Sequence, residues 1–202
     1  MKAKAISSAI TNLSSADEST RAAGAAEIYR QGRVVVDRAV FDWWKDAELS
    51  ELLLSPKPIV TVGVAVRRET FAMIRAANGQ PELADVPQEQ DAEEFELHFA
   101  DGVELDVLTS REPDGHGAIA RFLAKFGEGV QQVEFRCLNV DRAMAILRER
   151  FSVAPIYPEA RAGANGSKVN FVLVAVPGAR ADNAKVLIEL YECRKRDHSP
   201  LC

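Results

Sequence analysis

The chain has 202 residues, with 25 Lys+Arg against 30 Asp+Glu and a formal net charge of −5, a balance that excludes binding to nucleic acid through bulk positive charge. Hydrophobic residues make up 47% and charged residues 27%, the proportions of a soluble globular protein. The three cysteines, Cys137, Cys193 and Cys202, are too few for a disulfide framework or a paired-cysteine zinc site, so a reducing cytoplasm is the expected compartment.

The start, MKAKAISSAITNLSS, lacks the central apolar run of a signal peptide, and no stretch reaches the length of a membrane span. From Lys2 to Leu54 the apolar spacing is helical: Ile6, Ile10 and Leu13, then Ala25, Ala26 and Ile28, then Val36, Val40, Trp43 and Trp44. Ser15 with Glu18 three residues on reads as a capping box, predicting a helix from there to about Gln31 that Gly32 ends. A second helix is predicted over Val34 to Trp44, and Asp46 can cap a short ELSELLL helix stopped by Ser55-Pro56. Residues 1–56 are thus an all-α N-terminal extension, loosely like one HEAT-type helical hairpin. A single hairpin cannot bury its own face. With a short, stiff Ser55-Pro56-Lys57-Pro58 connection, the extension is expected to dock on its own chain. Trp43 and Trp44 are adjacent and cannot share a helical face, so one is expected to pack and the other to cover an interface.

Beyond Pro58 the pattern becomes strand, helix, then strands, and it occurs twice. The first copy opens with the β-branched run IVTVGVAV (59–66), followed by a helix over 67–79. EEFELHF (93–99) alternates as a half-buried strand, Asp101-Gly102 signals a tight hairpin, and VELDVLT (103–109) is the partner. A connecting helix at 117–126 leads to the second copy. That copy has a strand at 130–138, a helix at 139–151, a short strand near Val153, a glycine-rich loop, and strands at 168–176 and 185–192. Two tandem βαβββ modules are the expectation, with Thr61 matching Gln132 and Asp106 matching Glu189.

The segments IVTVGVAV, PQEQDAEEFEL, ELDVLTS, AIARFLAKFGEGVQQVEFRCLNVDRA and RAGANGSKVNF leading into KVLIELYE resemble the vicinal oxygen chelate superfamily, the glyoxalase and bleomycin-resistance fold, and within it methylmalonyl-CoA epimerase. The resemblance implies an α+β fold in which the two modules form a cupped mixed sheet, as a glyoxalase-like domain at residues 57–193, followed by a polar tail at 194–202. It further implies a divalent ion held by a His on the first strand, a Gln or Glu on the strand ending the first module, a His on the strand opening the second, and a Glu on the last. Those positions are Thr61, Asp106, Gln132 and Glu189, so both histidines are absent and only Asp106, Gln132 and Glu189 keep metal-ligand character. Co, Ni, Zn and Fe sites favour imidazole nitrogen. Three readings follow. An oxygen-only set suits a hard ion such as Mg, Mn or Ca; or no ion is held, with Gln132 and Thr61 hydrogen-bonded to each other or to Glu189; or Asp106 and Glu189 face one cavity and act as acid and base without metal.

The epimerases also use two glutamates to remove and return a proton beside the thioester carbonyl. The resemblance places them at Glu94, with Glu93 and Glu96 close by, and at Glu189. In an alternating strand Glu94 and Glu96 share a face and Glu93 lies on the other. His98, His116 and His198 show no ligand spacing, Cys137 reads as a small buried hydrophobe, and ARAGANGSK (160–168) reads as a turn bordering the pocket. Two functions stay open: a small-ligand-binding or interaction protein without metal-dependent catalysis, and an isomerase, epimerase or lyase acting beside a carbonyl through Glu94 and Glu189. The partners considered are a small-molecule ligand and a second copy of the chain in a homodimer, with neither nucleic acid nor membrane.

Overall fold

The structure, a computed structural model, describes residues 2–178 and 185–193. The polar tail, with His198 and Cys202, therefore lies outside the described residues. The chain divides into two compact units, Met1–Arg33 with Thr61–Gln131, and Val34–Val60 with Gln132–Cys202.

In the first unit, helix α1 (Lys2–Asn12) is followed by α2 (Glu18–Ala39), which continues beyond this unit. The capping differs from the Ser15 capping box. Asp17 is the capping residue, its carboxylate accepting the Thr20 N–H at 2.7 Å and the Ser19 and Thr20 hydroxyls at 2.6 Å each, while the Ser15 hydroxyl accepts the Asp17 N–H. An ionised carboxylate is the stronger acceptor for exposed N–H groups at a helix start. Nor does Gly32 end the helix, which runs unbroken to Ala39 and takes in most of the segment expected to form a second one. Glycine serves here by being small. A Cβ on Gly24 would lie 2.6 Å from the Ala9 carbonyl oxygen of α1, and one on Gly32 would lie 2.7 Å from both γ-carbons of Val62.

Strand β1 (Val60–Ala65), which follows α3 (Ala47–Leu52) in the chain, leads into α4 (Arg68–Ala77). Strands β2 (Ala92–Phe99) and β3 (Val103–Ser110) form the hairpin, whose turn residues Asp101 and Gly102 both have positive φ as expected. The strand order in this unit is β2-β3-β1, with β3 antiparallel to β2 and parallel to β1. The hydrophobic face carries Val62, Val64, Phe95, Leu105 and Val107, all fully buried. Helix α4 lays Phe71 edge-on to Phe95 at a centroid distance of 4.7 Å. Residues 81–87 of the first module form no strand where the repeat pattern asks for another, and the Ala84 N–H donates to the Glu94 carbonyl. Helix α5 (Ala118–Phe126) closes the module.

In the second unit, α3 (Ala47–Leu52) is capped by Asp46, which accepts the Leu49 N–H as the sequence predicts. Strand β4 (Gly129–Arg136) is followed by α6 (Val140–Phe151), β5 (Arg161–Ala162), β6 (Lys168–Ala175) and β7 (Lys185–Glu192), in the order β4-β7-β6-β5. Here β7 is parallel to β4 and antiparallel to β6. No strand forms at Val153, whose N–H instead bonds back to Leu147 at the end of α6; two residues later Pro155 bridges Val172. Arg142 and Arg150 of α6 pair with Glu48 and Asp46 at 2.6–2.7 Å, which ties α3 to this module. Trp43 is buried, and the half-buried Trp44 packs on Phe135 with ring centroids 6.0 Å apart.

The fold class is the one read from the sequence: an α+β chain of two modules, each with a mixed sheet, behind N-terminal helices. Val62 pairs with Leu105 and Gly63 with Asp106, just as Val133 pairs with Ile188 and Glu134 with Glu189. The matches of Thr61 with Gln132 and of Asp106 with Glu189 therefore hold to the residue.

Candidate functional site

The site residues lie on the sheet face opposite the hydrophobic one, and the register decides which they are. In an antiparallel pair, opposed residues present side chains to the same face. Glu94 is opposed to Leu108, Glu96 to Asp106, and His98 to Glu104. One face of the first module thus carries Glu94, Glu96, His98, Glu104 and Asp106, with Thr61 from β1. Glu93 points the other way and meets Arg68 at 3.3 Å. Thr61 and Asp106 are buried, at 6% and 5% exposure. The Thr61 hydroxyl donates to Glu104 at 3.4 Å, in place of the Gln132 or Glu189 considered from sequence.

Glu94 has the perturbed chemistry of this face. Burial first, and the neighbouring Glu96 carboxylate second, push its carboxyl up to about 7, while Arg111 pulls it back. The start of β2 is fixed by Asp91, whose φ of +50° falls where glycine is favoured. Its carboxylate accepts the Ser110 hydroxyl at 2.9 Å and the Glu112 N–H at 3.0 Å, tying the start of the strand to the end of β3.

The second module places Gln132 and Glu189 together. Gln132 is 6% exposed, and its Nε2 donates to Glu189 at 2.8 Å and to Glu134 at 3.0 Å. The amide thus spans two carboxylates on one face, flanked by Phe171, which is opposed to Glu189 across β6 and β7. The four family positions fall two in each unit, Thr61 and Asp106 in the first, Gln132 and Glu189 in the second. Among the described residues, no three His, Cys, Asp or Glu side chains are grouped so as to hold a metal ion.

Glu104, Glu134 and Arg111 are partners that sequence reading missed. The first two were accessible to it, since each lies two residues from a named position on the same strand and so on the same face. Arg111, beyond the end of β3, carries no such signal. His98 is exposed and 3.1 Å from Glu96, and His116 is exposed. Cys137 is buried, and burial pushes its thiol up to about 11, the state of an inert core cysteine. No helix among the described residues is long and apolar enough to cross a membrane.

No family model and no curated protein sequence matches this chain. Solved structures do. Methylmalonyl-CoA epimerase from Mycobacterium tuberculosis is 27% identical, with a TM-score of 0.52 over 66% of this chain and 86% of that one. A variant of the Streptomyces coelicolor epimerase in complex with 2-nitronate-propionyl-CoA is 28% identical, with a TM-score of 0.51 over 67% and 96%. A methylmalonyl-CoA epimerase in complex with methylmalonyl-CoA and NH4+ is 28% identical, with a TM-score of 0.52 over 68% and 95%. The chain has a glyoxalase-like fold similar to these epimerases.

Proposed function

We propose that this chain is a glyoxalase-like small-ligand-binding protein without metal-dependent catalysis, and that acyl-CoA thioesters are the ligand class its structural likenesses point to. The observation that carries the reading is the Gln132 amide, which donates to both the Glu134 and Glu189 carboxylates. A metal ligand must offer a lone pair to the ion. Gln132 instead presents its N–H2 to the carboxylates, and the other histidine position is the hydroxyl of Thr61. This donor set does not fit a Co, Ni, Zn or Fe ion.

A second reading is favoured by Glu94. A carboxyl titrating near 7 suits general acid-base work at neutral pH, and in that reading the Glu94 carboxylate takes the proton from the carbon beside a thioester carbonyl and then returns it.

The test is calorimetric titration of the full chain, treated with EDTA, with methylmalonyl-CoA and propionyl-CoA, together with deuterium uptake at C2 in D2O. Saturable binding, unchanged by added Co2+ and without deuterium uptake, is the expected result. Uptake that Glu94→Gln abolishes would replace this reading with the second. Binding that requires Co2+, or no binding of either thioester, overturns it.

A further inference from the structure

We infer a second ligand site, independent of the function proposed above, on the helix-packed face of the second module: a cavity of about 380 Å3 that takes a small monocarboxylate with an apolar body. It lies between α6, residues 155–160 and β6. Lys168 and Asn170 of β6 are opposed to Glu192 and Leu190 of β7, the face turned away from Gln132 and Glu189.

The helix contributes Asp141, Met144, Ala145 and Arg148, spaced as one face of an α-helix, and the chain opposite contributes two prolines. The size falls within the range of small-ligand pockets, and its walls mix apolar surface with a few polar groups, as such pockets do. Two of these polar groups have hydrogen-bonding capacity to spare. Asn170, 2% exposed, uses one Nδ2 hydrogen on the Tyr157 carbonyl, and its Oδ1 accepts the Tyr157 and Phe171 N–H groups. That leaves the second Nδ2 hydrogen for a ligand. Arg148, exposed beside the cavity, makes no ion pair or hydrogen bond among the described residues.

The other charges narrow the ligand to a single negative charge. Lys168 is paired with Asp141, and Glu159 adds a further carboxylate to the lining. Arg148 is thus the cation left for an incoming anion, and a polyphosphate would meet two carboxylates. The glycine-rich loop read from sequence as a border of the main pocket ends at Lys168, so its end borders this cavity.

The experiment is NMR shift mapping of the full chain titrated with hexanoate, hexanol and hexyl phosphate. Hexanoate is expected to give saturable shifts at Ala145, Ala160 and Asn170, with hexyl phosphate binding more weakly. Arg148→Gln, an exposed change that leaves the core intact, weakens hexanoate by about tenfold or more and leaves hexanol unchanged. Shifts centred on Gln132 and Phe171, hexanoate affinity indifferent to Arg148→Gln, tighter binding of hexyl phosphate, or no saturable binding overturns the proposal. The thioester titration above does not bear on this outcome, so the two readings fail separately.

Discussion

Replacing Gly32 by Ala tests how the N-terminal helices are held to the first module. In an ordinary helix interior this change stabilises by about 1 kcal/mol, because alanine is the better helix former. Here the new Cβ would stand 2.7 Å from both γ-carbons of Val62, a fully buried residue of β1. The β-branched side chain has one strongly preferred χ1 and no room to turn. Overpacking of this kind costs about 1–3 kcal/mol, so the expected net effect is a destabilisation of up to about 2 kcal/mol. Val62→Ala alone also destabilises, by about 2 kcal/mol, through the cavity it leaves. In the double variant the two defects fill each other, and a favourable coupling of about 1–3 kcal/mol is expected from the cycle. Urea denaturation of the four full-length proteins measures it, with unchanged m-values as the check on two-state unfolding. If Gly32→Ala stabilises by about 1 kcal/mol and the double variant is additive, α2 does not pack on β1 through this glycine and the docking argument fails.

Three further outcomes follow from the site and the second module. The Glu94 carboxyl titrates near 7 when folded, against an ordinary value of 4.5. The folded state therefore holds the extra proton, and the stability this group contributes is fully present below about pH 4.5 and is lost as pH rises through 7. Glu94→Gln should flatten that segment of the stability profile, read by urea denaturation at pH 5 and pH 8; an unchanged slope refutes the assignment. Calorimetric titration with Co2+ should show no tight stoichiometric binding, since neither Thr61 nor Gln132 offers imidazole nitrogen, and tight binding that Glu189→Ala abolishes would contradict this. Arg150→Ala removes contacts to both Asp46 and Glu48. It should lower the Tm in dilute buffer and lower it less in molar salt, because exposed pairs are screened; a salt-independent loss would mean the arginine acts through packing instead.

The sheet was readable from sequence because its signals are local and redundant. Each strand from β1 to β7 except the two-residue β5 shows a β-branched run or an alternation, and Asp101-Gly102 marks its own turn. The helices were read less well for a physical reason. Glycine in a helical pattern has two meanings, a terminus reached through positive φ and a close approach made possible by the missing Cβ. Only the neighbours tell them apart, and for Gly32 the neighbour is Val62, thirty residues away in the chain. The capping error at Ser15 is of the same kind, since Asp17 and Ser15 both precede the helix and the side-chain geometry decides between them. On the site, spacing located Thr61, Asp106, Gln132 and Glu189 in the repeat, and the hydrogen bond from Gln132 to Glu189 was among the alternatives read there, whereas those of Thr61 to Glu104 and of Gln132 to Glu134 were not.

Those hydrogen bonds are made on the same pattern in both modules. Thr61 and Gln132 occupy equivalent register positions, as do Asp106 and Glu189. In each module the first-strand residue is a buried donor that meets a carboxylate: Thr61 with Glu104, and Gln132 with Glu134 and Glu189. A buried hydroxyl or amide needs an acceptor, and a carboxylate on a half-buried face is stabilised by the donor it receives. The two kinds of residue are therefore coupled, and restoring imidazole at Gln132 alone would change the carboxylates as well as the ligand set. A neutral imidazole has one N–H where the Gln132 amide has two, so one of Glu134 and Glu189 would lose a donor. The acid left with fewer donors would then favour its protonated form. A metal-binding variant accordingly requires concerted substitution at Gln132 and Glu134, because Gln132 is held by both carboxylates.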